Sequence, residues 1–283
     1  MSSVDQFASV FNAATKKVFQ YKPIGFNKPL VITDLDSEAA VHYTETGKQF
    51  FSMVDGPWDT LCASDFKTVK ELLDQVERRK PDLIVTYRHL HSEAWRWPHS
   101  LGEHLDVLIQ VTDFPVVVMP HPDREGVPDQ SMQAARRIMV INDHLAGEDA
   151  LINHAVCLCD PEAGHLHLTH VEDQIVFERY MEAISRIPEI DTDTARSTIQ
   201  AQLLAEVSKY LESTVDILAE VRPNLEVVQY INHGRPLDTY RRIVKDHQAD
   251  LVVLLGHDKD QLAMNSTAYS LAVELRTIPL LIV

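Results

Sequence analysis

The sequence predicts an α/β fold of two doubly wound, Rossmann-like parallel-sheet domains in tandem, the first truncated and the second five-stranded. The first observation is the stretch Ala249–Val283, in which two short apolar runs flank a polar loop and a helical segment. Apolar runs that do not alternate with polar residues are typical of strands covered on both faces, as in parallel sheets. The second observation is that Pro81–Pro120 repeats the same order. This repeat indicates an internal duplication.

The first copy is predicted to contain four parallel strands joined by helical crossovers. Ahead of it, Ser2–Gln20 has the spacing of an amphipathic helix, which we expect to lie on the first domain or to reach a partner subunit. Tyr21–Pro29 is a connector. The elements that follow are a strand, a short helix, a strand, a helix and the repeat unit, predicted at Leu30–Thr33, Ser37–Gly47, Gln49–Val54, Asp65–Arg79 and Pro81–Pro120.

The second copy begins after a polar linker predicted at His121–Gln133. Its strands are predicted at Arg137–Ile141, His165–Val171, Leu225–Ile231, Leu251–Leu255 and Pro279–Val283. Its helices are predicted at Gly147–Cys159, Asp193–Glu220, Pro236–His247 and Ser266–Arg276. The domain boundaries are therefore set at residues 1–125 and 135–283. The interval Asp34–Asp82 is shorter than its counterpart Asp143–Asp250 by about one βα unit and a long helix, which predicts four strands against five.

Composition restricts the class of protein and its partners. A chain of 283 residues can form two domains that each bury a core. The formal net charge of −16 argues against nucleic acid and anionic membrane surfaces as partners. The three cysteines include no CxxC pair, so a disulfide framework is not expected. Because the sequence shows neither a leader nor a run of 18 apolar residues, we expect a soluble, cytoplasmic protein.

Several segments together resemble the universal stress protein family, in a tandem form with a shortened first copy. They are RIMVIND (Arg137–Asp143), HLHLTHVED (His165–Asp173), the INHG turn (Ile231–Gly234) and the stretch Ala249–Val283. The resemblance implies an adenine nucleotide alpha hydrolase-like fold, a role in stress response, and self-association. That association is expected as a homodimer or as pairing of the two domains within the chain, with the last strand as the candidate edge.

The resemblance also implies one site for ATP or AMP in the second domain. The nucleotide-binding residues that it implies are Asp143, Val171, Gly256, Ser266 and Thr267. In the family a glycine-rich loop after the fourth strand lets backbone N–H groups approach phosphate, and the next helix adds a favourable dipole. The alternative interpretation is structural, with Asp143, Ser266 and Thr267 capping helices and Gly256 turning the chain.

This chain departs from the family pattern in both copies. In the second copy Lys259 replaces the second glycine, and Asp258 and Asp260 would repel phosphate unless a divalent cation intervened. In the first copy Tyr87 stands at the first glycine position and only Gly102 is kept, so no nucleotide site is expected there. The first-copy loop is instead filled by other residues, namely Arg88, His89, His91, Trp95, Trp97, His99 and His104.

The other candidate site residues have ordinary structural explanations. The two histidine groups, His89/His91/His99/His104 and His165/His167/His170, lack a known ligand spacing, so we predict solvated or core histidines and no metal site. The segment Trp95–Pro98 is predicted to cover strand ends, to dock a partner or simply to pack against its own domain. Cys157 and Cys159 do not face each other on a helix and are predicted to be buried thiols.

Catalytic motifs are absent from the sequence. It contains no G-x-S-x-G, no Walker A loop and no G-x-G-x-x-G, so we predict no catalytic residues. The leading hypothesis is a binding or regulatory module, with ATP or AMP as its ligand and an unknown protein as a further partner. The alternatives are an interaction scaffold that binds no nucleotide, a weak ATP-hydrolysing enzyme, and a metal sensor that uses the first-copy histidines.

Overall fold

The computed structural model describes residues 17–97, 99–123, 134–142, 145–256 and 265–283, which form one nine-stranded sheet with helices on both faces. The strands are β1 (Pro29–Ile32), β2 (Asp59–Leu61), β3 (Leu83–Tyr87), β4 (Val116–Met119), β5 (Arg137–Ile141), β6 (His165–Asp173), β7 (Glu226–Gly234), β8 (Leu251–Leu254) and β9 (Leu280–Ile282). The α-helices are α1 (Ser37–Phe50), α2 (Val69–Arg79), α3 (Glu103–Val111), α4 (Asp149–Leu158), α5 (Gln174–Ile184), α6 (Thr192–Val221), α7 (Pro236–Asp246) and α8 (Ser266–Glu274).

The strand order across the sheet is β2-β1-β3-β4-β9-β8-β5-β6-β7. Every pair is parallel except β4 and β9, which run antiparallel with Val117 opposite Leu281. The first half contributes four strands and the second half five, as the sequence predicts. Because β4 and β9 are the closing strands of the two halves, the domain pairing expected at the last strand occurs within this chain.

Two apolar layers cover the two faces of the sheet. Side chains of α1, α4 and α6 pack on one face, and those of α2, α3, α7 and α8 pack on the other. The strands β3, β4, β8 and β9 are buried along their whole length. Their unbroken apolar sequences follow from this, since both faces of a central strand contact helices. None of the described helices is long and apolar enough to cross a membrane.

The strand predicted at Gln49–Val54 is wrong. Helix α1 continues through Gly47 to Phe50, and the second strand lies later, at β2. The buried residues of α1 recur at helical spacing and include Gly47, whose position for a Cβ lies 3.2 Å from the Trp58 ring. Gly47 is therefore a close packing position within the helix and does not end it. The three-residue β2 is too short to give a periodic signal.

Two other segments differ from the prediction. Helix α5 was not predicted, and it pairs with the start of α6 around Phe177 and Met181 to form a small separate core. Of the predicted N-terminal helix, residues 2–16 lie outside the described residues. Residues 17–20 are not helical and contact the second half, where the Phe19 ring packs edge-on against Tyr210 and the Phe19 N–H donates to Ser213. The predicted linker also lies mostly outside the description, from residue 124 to residue 133.

Candidate functional site

A small recess lies at the carboxyl ends of β5 and β8. These two strands are parallel neighbours. The chain connects β5 to β6 on one side of the pair and β8 to β9 on the other side. Open α/β sheets bind ligands at such a topological switch point. The cavity measures about 10 Å³, which is room for about one water molecule. It is lined by Ile141, Asn142, Leu254, Leu255, Asn265, Thr267, Ala268 and Leu271.

Helix α8 begins at this recess, and its N-cap is Asn265. The Asn265 side-chain oxygen accepts hydrogen bonds from the backbone N–H of Thr267, at 2.9 Å, and of Ala268, at 3.3 Å. Of the two predicted residues here, Ser266 is exposed and Thr267 is half-buried against the recess. Two of the free N–H groups that a helix N-terminus offers to an anion are therefore already used by the chain's own amide.

Gly256 occupies a tight position behind the recess. Its N–H donates to the Val283 carbonyl at 2.8 Å, and its carbonyl accepts from the Asn265 N–H at 3.0 Å. A Cβ built at Gly256 would lie 2.7 Å from Ile282 Cγ2. Close packing against β9 thus explains this glycine, and its N–H is not directed towards a ligand.

Val171 does not line the recess and is linked to Asn142 at its wall through Tyr240. The buried Tyr240 hydroxyl accepts from the Val171 N–H at 3.0 Å and donates to the Asn142 carbonyl at 3.1 Å. It thereby joins the end of β5 to β6 through a side chain of α7. The structure brings Gly256, Ser266 and Thr267 together at the end of β8 and places Val171 on β6, outside the lining of the recess.

Part of the predicted site lies outside the described residues. Asp143 is one of these residues, and so is the loop of residues 257–264 that carries Asp258, Lys259 and Asp260. The site can therefore be described at its strand ends and at the start of α8.

The described histidines of the first half are not arranged as the ligands of a metal ion. His91 and His104 lie 5.6 Å apart, centroid to centroid, and both rings pack edge-on against Phe66. His89 is buried, which lowers its pKa, and the positive charges of Arg88 and Arg276 add to this effect. Across the described ranges no group of three or more His, Cys, Asp or Glu residues is arranged to hold a metal ion.

At the carboxyl ends of β1 and β3 in the first half, the polar side chains are hydrogen-bonded to one another. The buried Tyr87 hydroxyl donates to the carboxylate of Asp34 and lies 2.7 Å from Thr33 Oγ1. The second Asp34 oxygen accepts from the His91 N–H at 2.6 Å. Burial and the neighbouring Asp34 carboxylate raise the pKa of Tyr87, so it stays a neutral donor. Asp34, which follows β1, is thus hydrogen-bonded to residues of the first half.

The next residue, Arg88, connects the two halves. It is only 4% exposed, and its guanidinium donates to the Ala272 carbonyl at 2.6 and 3.1 Å and to the Leu275 carbonyl at 2.9 Å. These carbonyls lie at the C-terminal end of α8, where the helix dipole favours a positive charge. A residue of the first-half loop therefore holds the helix whose other end borders the recess.

Sequence reasoning missed three of the residues that shape the site. Asn265 carried a signal, because Asn directly before a helical run is a strong N-cap. Tyr240 and Arg88 carried none, because each acts on a partner far away in the chain.

The fold and the recess together define the class of protein. It is a doubly wound α/β protein with a recess at the carboxyl ends of the strands of its second half. Solved structures similar to this chain include universal stress proteins. One from Archaeoglobus fulgidus is 12% identical over 90% of this chain and 87% of its own, with a TM-score of 0.46. UspA from Lactobacillus plantarum is 20% identical over 49% of this chain and 90% of its own, with a TM-score of 0.35.

A third similar structure, of a Pseudomonas aeruginosa protein described as functionally unknown, matches over the full length of this chain. The alignment covers 100% of this chain and 88% of the other at 12% identity, with a TM-score of 0.46. No protein-family model and no curated protein matches the sequence. The fold description therefore rests on the strand order and the crossovers of the sheet itself.

Proposed function

We propose that this chain is a binding or regulatory module of the universal stress protein type, acting in stress response, with one adenine-nucleotide site at the ends of β5 and β8. The observation that carries the proposal is the recess at the topological switch point of the second half. Leu254, Leu255 and Ala268 offer an apolar surface to a base, and Asn142 and Thr267 add polar groups at its rim.

A nucleotide needs a wider opening than the recess has. Pockets for ligands of this size usually measure about 300–1,000 Å³, far more than the cavity between β5 and α8. Binding therefore includes a movement that widens the recess.

The test is a titration of the full chain with ATP and AMP by calorimetry, with two variants of α8. Thr267→Glu places a carboxylate in the recess, where it repels phosphate, while the dipole of the first turn favours it and preserves the helix. We expect Thr267→Glu to weaken nucleotide binding by at least about tenfold. Ser270→Glu, one turn further along α8, is the matched control and should bind like the wild type. Equal affinity in both variants would contradict a site at the recess.

The second candidate function is an interaction scaffold that binds no nucleotide. It is favoured by the internal hydrogen bonds of Gly256 and Asn265, which use N–H groups that a phosphate would need. If the wild type shows no heat of binding at millimolar ATP, the scaffold is the better description. Phosphate release measured in the same samples tests ATP hydrolysis, the enzymatic alternative.

A further inference from the structure

The recess between β5 and α8 is lined by uncharged side chains throughout its described part. Five of the lining residues are apolar, and the polar ones are two asparagines and a threonine, Asn142, Asn265 and Thr267. Sites that bind phosphate usually hold it with lysine or arginine, whose charge offsets that of the anion. The described lining therefore suits a neutral ligand group better than an anionic one.

The backbone donors at the start of α8 are also in use. The Asn265 side chain accepts hydrogen bonds from the N–H groups of Thr267 and Ala268, at 2.9 and 3.3 Å. A phosphate bound at a helix N-terminus needs these same donors, because they point away from the helix along its axis. The neutral amide of Asn265 thus occupies the position that an anion would take.

Gly256 and Asn265 close the base of the loop between β8 and α8. The Gly256 N–H donates to the Val283 carbonyl at 2.8 Å, and the Asn265 N–H donates to the Gly256 carbonyl at 3.0 Å. Both donors are therefore satisfied within the chain. The sequence between these two residues contains two aspartates and one lysine, so it adds no net positive charge that would attract an anion.

The charge of the whole chain acts in the same direction. Its formal net charge is −16, so a ligand that carries several negative charges is repelled as it approaches. ATP bears more negative charge than AMP, and adenosine bears none. The electrostatic cost of binding therefore rises from adenosine to AMP and again to ATP.

A neutral nucleoside matches the groups that the recess offers. The apolar side chains of Leu254, Leu255 and Ala268 can pack against a base. A side-chain amide carries a donor and an acceptor together, and asparagine can pair in this way with the N6 and N7 atoms of adenine. Asn142 brings such an amide to the recess. These contacts favour the base and leave the phosphate without a counter-charge from the described lining.

We propose that this site recognises the nucleoside and selects against phosphate, so that adenosine binds at least as tightly as AMP and ATP binds most weakly. This selectivity belongs to the adenine-nucleotide site proposed above and rests on it. Asn265 enforces the selection, because its side chain occupies two backbone donors of α8.

Calorimetric titration of the full chain with adenosine, AMP and ATP, without divalent cations, tests this selectivity. We expect the Kd of ATP to be at least about tenfold higher than the Kd of adenosine. A smaller difference or the reverse order would overturn the selectivity and leave the proposed function standing. If none of the three ligands binds, the proposed function itself fails, and the selectivity fails with it.

Two variants of the N-cap separate the donors of α8 from the width of the recess. Asn265→Gly frees the N–H groups of Thr267 and Ala268, while Asn265→Ser also shortens the side chain but keeps a capping oxygen. We expect Asn265→Gly to bind AMP about tenfold more tightly than Asn265→Ser does, and both variants to bind adenosine equally. Equal affinity for AMP as well would overturn the role of Asn265. Glycine and serine are both common N-caps, so both variants should fold, which circular dichroism checks.

Discussion

His167 shows how burial changes the chemistry of a single side chain. Its ring is stacked on Tyr230 at 5.8 Å and lies 5.5 Å from His247, and the residue is 7% exposed. Burial, together with the nearby charges of His247, His165 and Arg137, lowers the pKa of His167 to about 4, while Glu226 opposes the shift. At neutral pH the imidazole is therefore uncharged and packs as an aromatic ring.

This shift predicts a loss of stability in mild acid. The His167 pKa is about 4 in the folded protein and about 6.5 in an unfolded chain. Below pH 6.5 the unfolded state therefore binds the proton first, and the free energy of unfolding falls until the folded pKa is reached. At about 1.4 kcal/mol per pH unit, the loss attributable to His167 is roughly 3 kcal/mol.

Urea unfolding at a series of pH values measures this contribution. His167→Gln removes the titrating group, so its free energy of unfolding should fall less than that of the wild type between pH 6.5 and pH 4. The exposed His42 of α1 provides the control, and His42→Gln should follow the wild-type curve. Parallel curves for wild type and His167→Gln would show that the imidazole titrates normally in the folded protein.

The roles of some predicted site residues depend on neighbours in the sequence, and the roles of others depend on contacts with residues far away in the chain. Ser266 and Thr267 could be assigned to a helix start, because capping preferences act within a few residues, but the N-cap itself is Asn265 and not one of these two. Gly256 was predicted to border a ligand, whereas it lies against Ile282 and bonds to Val283. Which atoms face a glycine depends on strand pairing, and a local sequence pattern does not encode it.

At the scale of elements, helix α8 shows how side chains bind the backbone groups at both ends of a helix. Asn265 satisfies two N–H groups of its first turn, and Arg88 binds the carbonyls at its other end. Helix ends leave backbone groups without intrahelical partners, so both contacts stabilise a nine-residue helix that is too short to be stable alone.

Removing the cap should destabilise the protein measurably. Asn265→Ala leaves the N–H groups of Thr267 and Ala268 without their acceptor, and we expect the free energy of unfolding to fall by about 1 kcal/mol. Asn265→Asp keeps a capping oxygen and adds a charge that the dipole favours, so it should match or exceed the wild type. Denaturant melts of the three proteins measure the difference. If alanine and aspartate are equivalent, the cap does not stabilise α8.

Element boundaries were predicted well where a pattern is long and less well where it is short. Helices α2 and α7 carry clear periodicity and end signals, including Pro236 at the first position of α7. The strand prediction at Gln49–Val54 is wrong because Phe50 and Phe51 fit a strand locally, whereas Phe50 is the last buried residue of α1 and Phe51 is its C-cap. Tertiary packing therefore overrode local propensity.

At the scale of the whole molecule, the two halves are joined by more than their closing strands. Beside the β4–β9 pair, Arg88 reaches α8, and Tyr269 of α8 bonds to the Asp106 side chain of α3. Burial raises the pKa of Asp106, an effect that the Tyr269 hydrogen bond opposes. The loop after β3 and helix α3 of the first half therefore both contact α8 of the second.

Arg88→Met tests this contact between the halves. The change leaves the Ala272 and Leu275 carbonyls without their charged donor in a buried position, and we expect the free energy of unfolding to fall by roughly 2–4 kcal/mol. Arg186→Met, at a position 74% exposed, is the control and should change stability by less than about 1 kcal/mol. Chemical denaturation of both variants gives the comparison. Equal losses would mean that Arg88 does not hold the halves together.

The sequence by itself determined the α/β class and the number of strands in each half, because strand burial and helical periodicity are encoded in local hydrophobic patterns. Only the tertiary structure decided that the closing strands pair with each other and that Arg88 crosses to α8. It also decided that the glycine at the end of β8 packs against Ile282 of β9 and donates its N–H to Val283. These contacts join residues far apart in the chain, so they depend on how the halves pack.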